Sequence, residues 1–316
     1  MKRIISVANF KVDDEKIKRI NEVAPDFEVY TGDKAKEGLK ESEIIFGYAP
    51  LEELANAKYL KWLHASTAGV DFYLKQGTFR EDVILTNSAG MHGISISEHM
   101  LGLTLMLMRR LHNYVTLQSK HKWEYLGEIK SICGSNITVV GLGGIGSLYA
   151  AKCKAMGANV TGVVRRKRDT TPDCVNEIYT IDKLPQTLKN ADVVALALPQ
   201  TSETMQLIDK ECMQSMKKGV IIINIGRGTA IDQEALTELL ESGHIGGAGL
   251  DVTDPEPLPE DSKLWDLPNV IITPHISGGS TLPLTGELIF NRFLEYLDDY
   301  AAGKPFKKTV DKQAGY

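Results

Sequence analysis

Short, near-continuous apolar runs alternate along this chain with segments of helical spacing. Ile137-Thr138-Val139-Val140, Val160 to Val164, Val193 to Leu198, Val220 to Ile225, Gly247 to Val252 and Val270 to Thr273 read as strands. Runs without polar alternation predict strands covered on both faces, the pattern of a doubly wound sheet. Between them, Ser147 to Met156 reads as a helix stopped by Gly157. The first hundred residues repeat the theme on a smaller scale. Arg3 to Val7, Ile44 to Gly47, Leu60 to Leu63 and Val83 to Thr86 read as strands. Asp13 to Val23, with Ile17, Ile20 and Val23 on one face, and Leu51 to Ala57 read as helices. This βα alternation predicts a small parallel sheet.

Two longer helices join the series. Ser97 to His112 is strongly apolar and is expected to bridge two domains, with Ser95 or Ser97 as its cap and Glu98 favouring its N-terminal dipole. A C-terminal helix from about Glu287 to Ala302 is expected to return to the first domain. A length of 316 residues exceeds most single compact cores, so two domains are expected. Their expected extents are 1–98 with 286–316, and 99–285.

Composition narrows the class without naming it. Hydrophobic content of 43% and charged content of 24% are ordinary for a globular enzyme. A net charge of −5 argues against a nucleic-acid surface. No apolar run approaches about 20 residues, the length of a membrane span. The longest candidate, Met100 to Met108, ends in Arg109-Arg110 and reads as a helix buried within one subunit or at a dimer interface. The segment from Met1 to Ser6 is too short and soon too polar for a signal-peptide core. Cys133, Cys153, Cys174 and Cys212 lack Cys-x-x-Cys spacing, which suits reduced thiols in a cytoplasmic protein and offers no metal site.

Candidate chemistry begins directly after the strand at 137–140. Gly141-Leu142-Gly143-Gly144-Ile145-Gly146 has Gly-x-Gly-x-x-Gly spacing between a strand and a helix. The first glycine permits the tight turn, the second lets the backbone approach a pyrophosphate, and the third lets helix and strand pack closely. The phosphates would sit at the positive end of the helix starting near Ile145. An ordinary glycine turn is the alternative. After the next strand comes Val164-Arg165-Arg166-Lys167-Arg168, with no acid until Asp169. Guanidinium groups bind a 2′-phosphate through paired hydrogen bonds, which points to NADP(H), with NAD(H) possible. A solvated basic turn is the alternative.

Three polar residues follow in Gly- or Pro-marked segments. They are Arg227 in Asn224-Ile225-Gly226-Arg227-Gly228, Glu256 in Asp251 to Pro257, and His275 in Thr273-Pro274-His275-Ile276-Ser277-Gly278. A cation for an anionic substrate, a carboxylate and an imidazole are what carbonyl reduction by a reduced nicotinamide requires. Hydride delivery to a 2-oxo acid leaves an alkoxide, and His275 is suited to protonate it. Glu256 would favour the imidazolium, and Pro255 and Pro257 would stiffen the segment that presents it. Arg227 can bind the carboxylate and polarise the carbonyl. Each falls just after an expected strand, on the edge where open α/β sheets bind ligands. His64, His92, His99, His112, His121 and His244 keep a structural reading, with His92 nearest the expected pocket loop.

Taken together, these residues resemble the D-isomer-specific 2-hydroxyacid dehydrogenases. The likeness covers nearly the whole chain: Ser66-Thr67-Ala68-Gly69-Val70-Asp71, Asn87-Ser88-Ala89-Gly90, Ser97-Glu98-His99, the Gly141 loop, Leu198-Pro199, Arg227-Gly228, Asp251 to Pro257 and Pro274-His275. The tail from Val310 through Tyr316 resembles one branch, the glyoxylate/hydroxypyruvate reductases. The resemblance implies two Rossmann-like doubly wound domains with the active site in the cleft between them. The first would be the flavodoxin-like substrate domain and the second the dinucleotide-binding domain. Backbone amides of Ala68, Gly69 and Val70 would hold the substrate carboxylate, which small residues permit. Cofactor contacts would come from Gly141 to Gly146, Arg165, Arg166, Leu198, Pro199, Thr204, Ile225, Gly226, Arg227, Asp251, His275, Ser277 and Gly278. Asp251 would orient the nicotinamide carboxamide or cap a turn, and Trp265 would lie near the pocket or in the core. The family also implies a homodimer and favours small 2-oxo acids such as glyoxylate and hydroxypyruvate. An NAD-linked D-2-hydroxyacid or phosphoglycerate dehydrogenase and a nucleotide-sensing binding protein are the rival readings. Formate dehydrogenases of the superfamily have an amide where this chain has Glu256.

Overall fold

The computed structural model describes residues 3–74, 78, 80–278 and 282–312. Residues 313–316, part of the tail that carries the branch resemblance, lie outside the described residues. The chain divides into two compact units, Met1–His92 with Ser280–Tyr316, and Gly93–Gly279.

The first unit is built on a parallel sheet of five strands among the described residues: β1 (Arg3–Ala8), β2 (Phe27–Tyr30), β3 (Ile44–Gly47), β4 (Trp62–Ala65) and β5 (Ile84–Asn87). Their spatial order is β2-β1-β3-β4-β5, with every pairing parallel. This is the flavodoxin-like order. Successive side chains of a strand go to opposite faces. Ile45 and Leu63 therefore join one apolar cluster, and Ile44, Phe46 and Trp62 the other. The C-terminal helix Pro283–Ala301 covers the second cluster with Ile289, Phe290, Phe293 and Leu297. Phe293 stacks on Phe46 at 4.1 Å between ring centroids.

The second unit carries seven strands among the described residues. They are β6 (Asn136–Val140), β7 (Asn159–Val164), β8 (Glu177–Thr180), β9 (Val193–Leu196), β10 (Val220–Asn224), β11 (Ile245–Leu250) and β12 (Val270–Ile272). Their order, β12-β11-β10-β9-β6-β7-β8, is wholly parallel. It is the Rossmann order with one added strand, and the order reverses between β6 and β9. Val194, Leu196, Val220 and Ile222 enter one cluster, while Val193, Ala195, Ile221 and Ile223 enter the other. Full burial on both faces explains the unbroken apolar runs, each large aliphatic side chain contributing about 1.5–3 kcal/mol.

Several expectations need correction. The apolar helix begins at Gly93, not Ser97, and ends at Met108. Ser97 is buried within it and donates to Ile94 O, and Ser95 donates to Ser277 O, so neither acts as its cap. The helix packs in the second unit's core, with Met100, Leu103 and Leu107 among Val139, Tyr149 and Ile223. A boundary at 98/99 would cut this helix, and one at 285/286 would cut Pro283–Ala301, so both junctions fall earlier. The short strands β2 and β8, on sheet edges, were not expected. Nor was the helix Leu111–Ser119, none of whose residues is buried. Trp265 is half-exposed rather than in the core, its indole N–H donating to Pro259 O.

Candidate active site

Carboxyl ends of neighbouring strands set the site of the second unit. The glycine loop leaves β6 at Gly141, whose φ of +98° allows the turn. A Cβ on Gly146 would stand 1.9 Å from the Gly141 carbonyl oxygen, so only glycine fits there. A Cβ on Gly143 would meet nothing within 4 Å, leaving its backbone open to a ligand. The following helix, Gly144–Ala155, starts with Gly143 at its N-cap, one residue earlier than expected at Ile145. Its free N–H groups and dipole make that end receptive to phosphate. Leu142 points the other way, buried against Gly162 of β7.

Next to β6, the end of β7 carries Arg165 and Arg166, both exposed. Arg165 lies 3.8 Å from Glu203. Arg168, not singled out in the sequence, donates to Leu142 O at 2.8 Å and ties the basic turn to the glycine loop. On the other side of β6, β9 runs into Leu198 and Pro199. The Thr204 hydroxyl closes that turn, donating to Pro199 O and accepting from Thr201 N.

Strands β10, β11 and β12 supply the remaining polar groups. Arg227 follows β10 in extended backbone between two glycines. A Cβ on Gly226 would lie 2.6 Å from Leu198 O, and one on Gly228 would lie 2.0 Å from Thr253 O. The glycines thus let the loops after β9, β10 and β11 meet. Asn224 fixes the turn from within, donating to Arg227 O and accepting from Gly226 N. Ile225 is buried beneath it.

His275 follows β12 with φ of +52°, a conformation uncommon outside glycine. The fixing group is Asp251, a buried carboxylate at the end of β11. It accepts from Thr273 Oγ1 at 2.6 Å, Ile276 N at 3.0 Å and Ser277 N at 3.1 Å, while its carbonyl accepts from His275 N. His99 Nε2 lies 3.0 Å from the Thr273 hydroxyl, a supporting contact that the sequence did not single out. Glu256 is held by Thr253 N on Oε1. Its Oε2 stands 2.9 Å from His275 Nδ1, and both side chains are partly exposed. The peptides Asp254–Pro255 and Glu256–Pro257 are cis.

In the first unit, Ser66 to Val70 follow β4, with Val70 buried and Ala68 and Gly69 partly exposed. His92 is buried and contacts Ser66 O through Nε2 at 3.0 Å. His64 is fully buried between Thr86 and Ser88, and burial lowers its pKa to about 3, with the Arg292 charge adding to the effect. No group of three or more possible metal ligands occurs among the described residues. No helix among them is long and apolar enough to cross a membrane.

The Rossmann strand order and the glycine loop beside its switch point define a dinucleotide-binding α/β class, and comparison with known proteins gives the family. Residues 101–277 match the family model "D-isomer specific 2-hydroxyacid dehydrogenase, NAD binding domain". An uncharacterised protein of Corynebacterium melassecola is 32% identical over 90% of this chain and 93% of its own. A family member from Aeromonas salmonicida superposes with a TM-score of 0.85 at 31% identity, covering 99% and 100% of the two chains. An NADPH-dependent glyoxylate/hydroxypyruvate reductase from Sinorhizobium meliloti, solved with NADP and sulfate, gives a TM-score of 0.82 at 27% identity and 99% coverage of each chain. The chain belongs to the D-isomer specific 2-hydroxyacid dehydrogenase family, whose members are NAD(P)-dependent oxidoreductases.

Proposed function

We propose that this protein uses NADPH to reduce small 2-oxo acids, glyoxylate and hydroxypyruvate among them, to D-2-hydroxy acids. The carrying observation is the 2.9 Å contact between His275 Nδ1 and Glu256 Oε2 on the same sheet edge as the glycine loop. The nicotinamide supplies the hydride when bound. Arg227 holds the substrate carboxylate and polarises the carbonyl, where negative charge develops. The Nδ1–H of His275 donates to Glu256, which fixes the ring and leaves Nε2 to hand a proton to the new alkoxide. Asp251 keeps the His275 loop in place and presents its remaining acceptor capacity to the carboxamide. Amides of Ala68, Gly69 and Val70 complete the carboxylate's binding partners.

The glycine loop takes the pyrophosphate, and Leu198, Pro199, Thr204, Ile225, Gly226, Ser277 and Gly278 complete the cofactor's surroundings. Arg165 and Arg166 favour the phosphorylated cofactor, since the first acid beyond them is Asp169. The solved relative from S. meliloti is itself described as NADPH-dependent. The first unit is the substrate domain, the second the dinucleotide domain, and the working form is a cytoplasmic homodimer.

Oxidation of the reduced cofactor, followed at 340 nm with a panel of 2-oxo acids and both cofactors, tests the reading. NADPH should exceed NADH in kcat/KM by about tenfold or more, the scale of one charge-assisted hydrogen bond. A preference for NADH overturns the cofactor assignment. No turnover across the panel favours a nucleotide sensor instead.

A further inference from the structure

The loop after β4 has an uneven hydrogen-bond census. Every carbonyl from Ala65 to Val70 is taken. Ala65 O accepts from Ser88 Oγ at 2.9 Å, and Ser66 O from His92 Nε2 at 3.0 Å. Thr67 O accepts from Ser88 N at 3.1 Å, and Ala68 O from Asn87 Nδ2 at 2.7 Å. Gly69 O accepts from the Thr67 hydroxyl and Val70 O from Tyr73 N. The amides show the reverse. Among the described residues, none of the N–H groups of Thr67, Ala68, Gly69 and Val70 has a partner. Val70 is buried and Thr67, Ala68 and Gly69 are partly exposed, so four successive donors without protein partners form an anion-receptive run that a ligand can reach.

Four of these six carbonyls are held by one short segment, Asn87 to His92. Asn87 ends β5, the strand beside β4, on the edge where open sheets bind ligands. Its amide group works in two directions. Nδ2 donates to Ala68 O, and Oδ1 accepts from Ala89 N at 3.4 Å, which keeps the donor turned toward the loop. His92 is less than a tenth exposed, and a carbonyl partner requires the ring proton on Nε2.

We infer that Asn87 and His92 are positioning residues that hold the carbonyls of Ser66 and Ala68 and thereby present the amides of Thr67 to Val70 to the substrate carboxylate. The inference rests on the reading that this loop binds that carboxylate. Neither residue touches the reacting atoms. They set how well a 2-oxo acid is held, not how fast hydride and proton move.

Steady-state kinetics with glyoxylate and NADPH, together with inhibition by oxamate, provide the test. Asn87→Ala should raise KM and the oxamate inhibition constant by the same factor, about five- to tenfold, as loss of one side-chain hydrogen bond allows. The same variant should keep kcat within about twofold and leave the NADPH dissociation constant and the melting temperature near those of the unmodified protein. His92→Leu should act in the same direction. His92→Gln, whose amide nitrogen can still donate to Ser66 O, should recover most of the loss. Unchanged KM in Asn87→Ala and His92→Leu, with the unmodified protein active, overturns the positioning role alone. A parallel fall in kcat and NADPH affinity also overturns it, since that is general loosening. An unmodified protein that reduces no 2-oxo acid and binds no oxamate overturns the underlying reading first.

Discussion

Two loops at sheet edges, one in each unit, achieve fixed shape by different means. After β6, shape is steric: Gly146 packs so tightly on the Gly141 carbonyl that no side chain fits. After β4, shape comes from donors on the neighbouring segment, with Asn87, Ser88 and His92 taking the loop's carbonyls. On the proposed function, the difference follows from the ligand each loop would take. A pyrophosphate needs close backbone approach and a helix end, which missing side chains provide. A small carboxylate needs a few aligned N–H groups, which a braced loop provides. Steric shape is written locally, whereas braced shape depends on residues some 20 positions further along.

The largest expected effect lies outside both loops and sharpens what they serve. His275→Ala should lower kcat by about a thousandfold, within the range for loss of a general acid, while NADPH still binds. Intact kcat would remove the proton-donor role. Gly146→Val breaks the steric loop. The NADPH dissociation constant should rise on the order of 100-fold, with circular dichroism showing whether the sheet survives. A folded variant with unchanged affinity would mean the close approach carries no cofactor. Arg165→Ala with Arg166→Ala should weaken NADPH by about tenfold or more and leave NADH nearly unchanged. Equal losses for both cofactors would mark the basic turn as a general electrostatic feature.

A smaller effect concerns the braced side through pH. His64 lies beneath the brace, in contact with Thr86 and Ser88, and stays neutral down to about pH 3. An unfolded histidine titrates near 6.5, so between these values the unfolded chain binds the extra proton. This group's stabilisation is therefore complete above about pH 6.5 and is lost as the pH falls toward 3. Melting followed by the emission of buried Trp62 should move down by several degrees between pH 7 and pH 5. A melting temperature that stays flat over that interval would contradict the buried, neutral imidazole.

How much was legible follows the same division. Strands buried on both faces announced themselves as apolar runs. The edge strands Phe27–Tyr30 and Glu177–Thr180 did not, since each has only four residues, mixed in polarity. Gly141, Gly143 and Gly146 could be read from spacing because sterics restrict those positions to one residue type. Arg227, Glu256 and His275 stood out by their Gly and Pro settings, and the fold puts each at the end of one of three adjacent strands. In the sequence Asn87 stands only as the first residue of Asn87-Ser88-Ala89-Gly90, and nothing there sets His92 apart from a structural histidine. Their work depends on which carbonyl lies opposite, which only the β4–β5 register reveals. The partners of Arg168 and His99 are hidden from the sequence for the same reason: Leu142 O and Thr273 Oγ1 lie on other elements.

The central claim is that the glycine loop serves the cofactor and the braced loop serves the substrate carboxylate. Measuring both the NADPH dissociation constant and KM for glyoxylate in Gly146→Ala and in Asn87→Ala tests it most directly. The account predicts a crossed result: Gly146→Ala weakens NADPH at little change in glyoxylate KM at saturating cofactor, and Asn87→Ala does the opposite. Both constants moving together in both variants would contradict it.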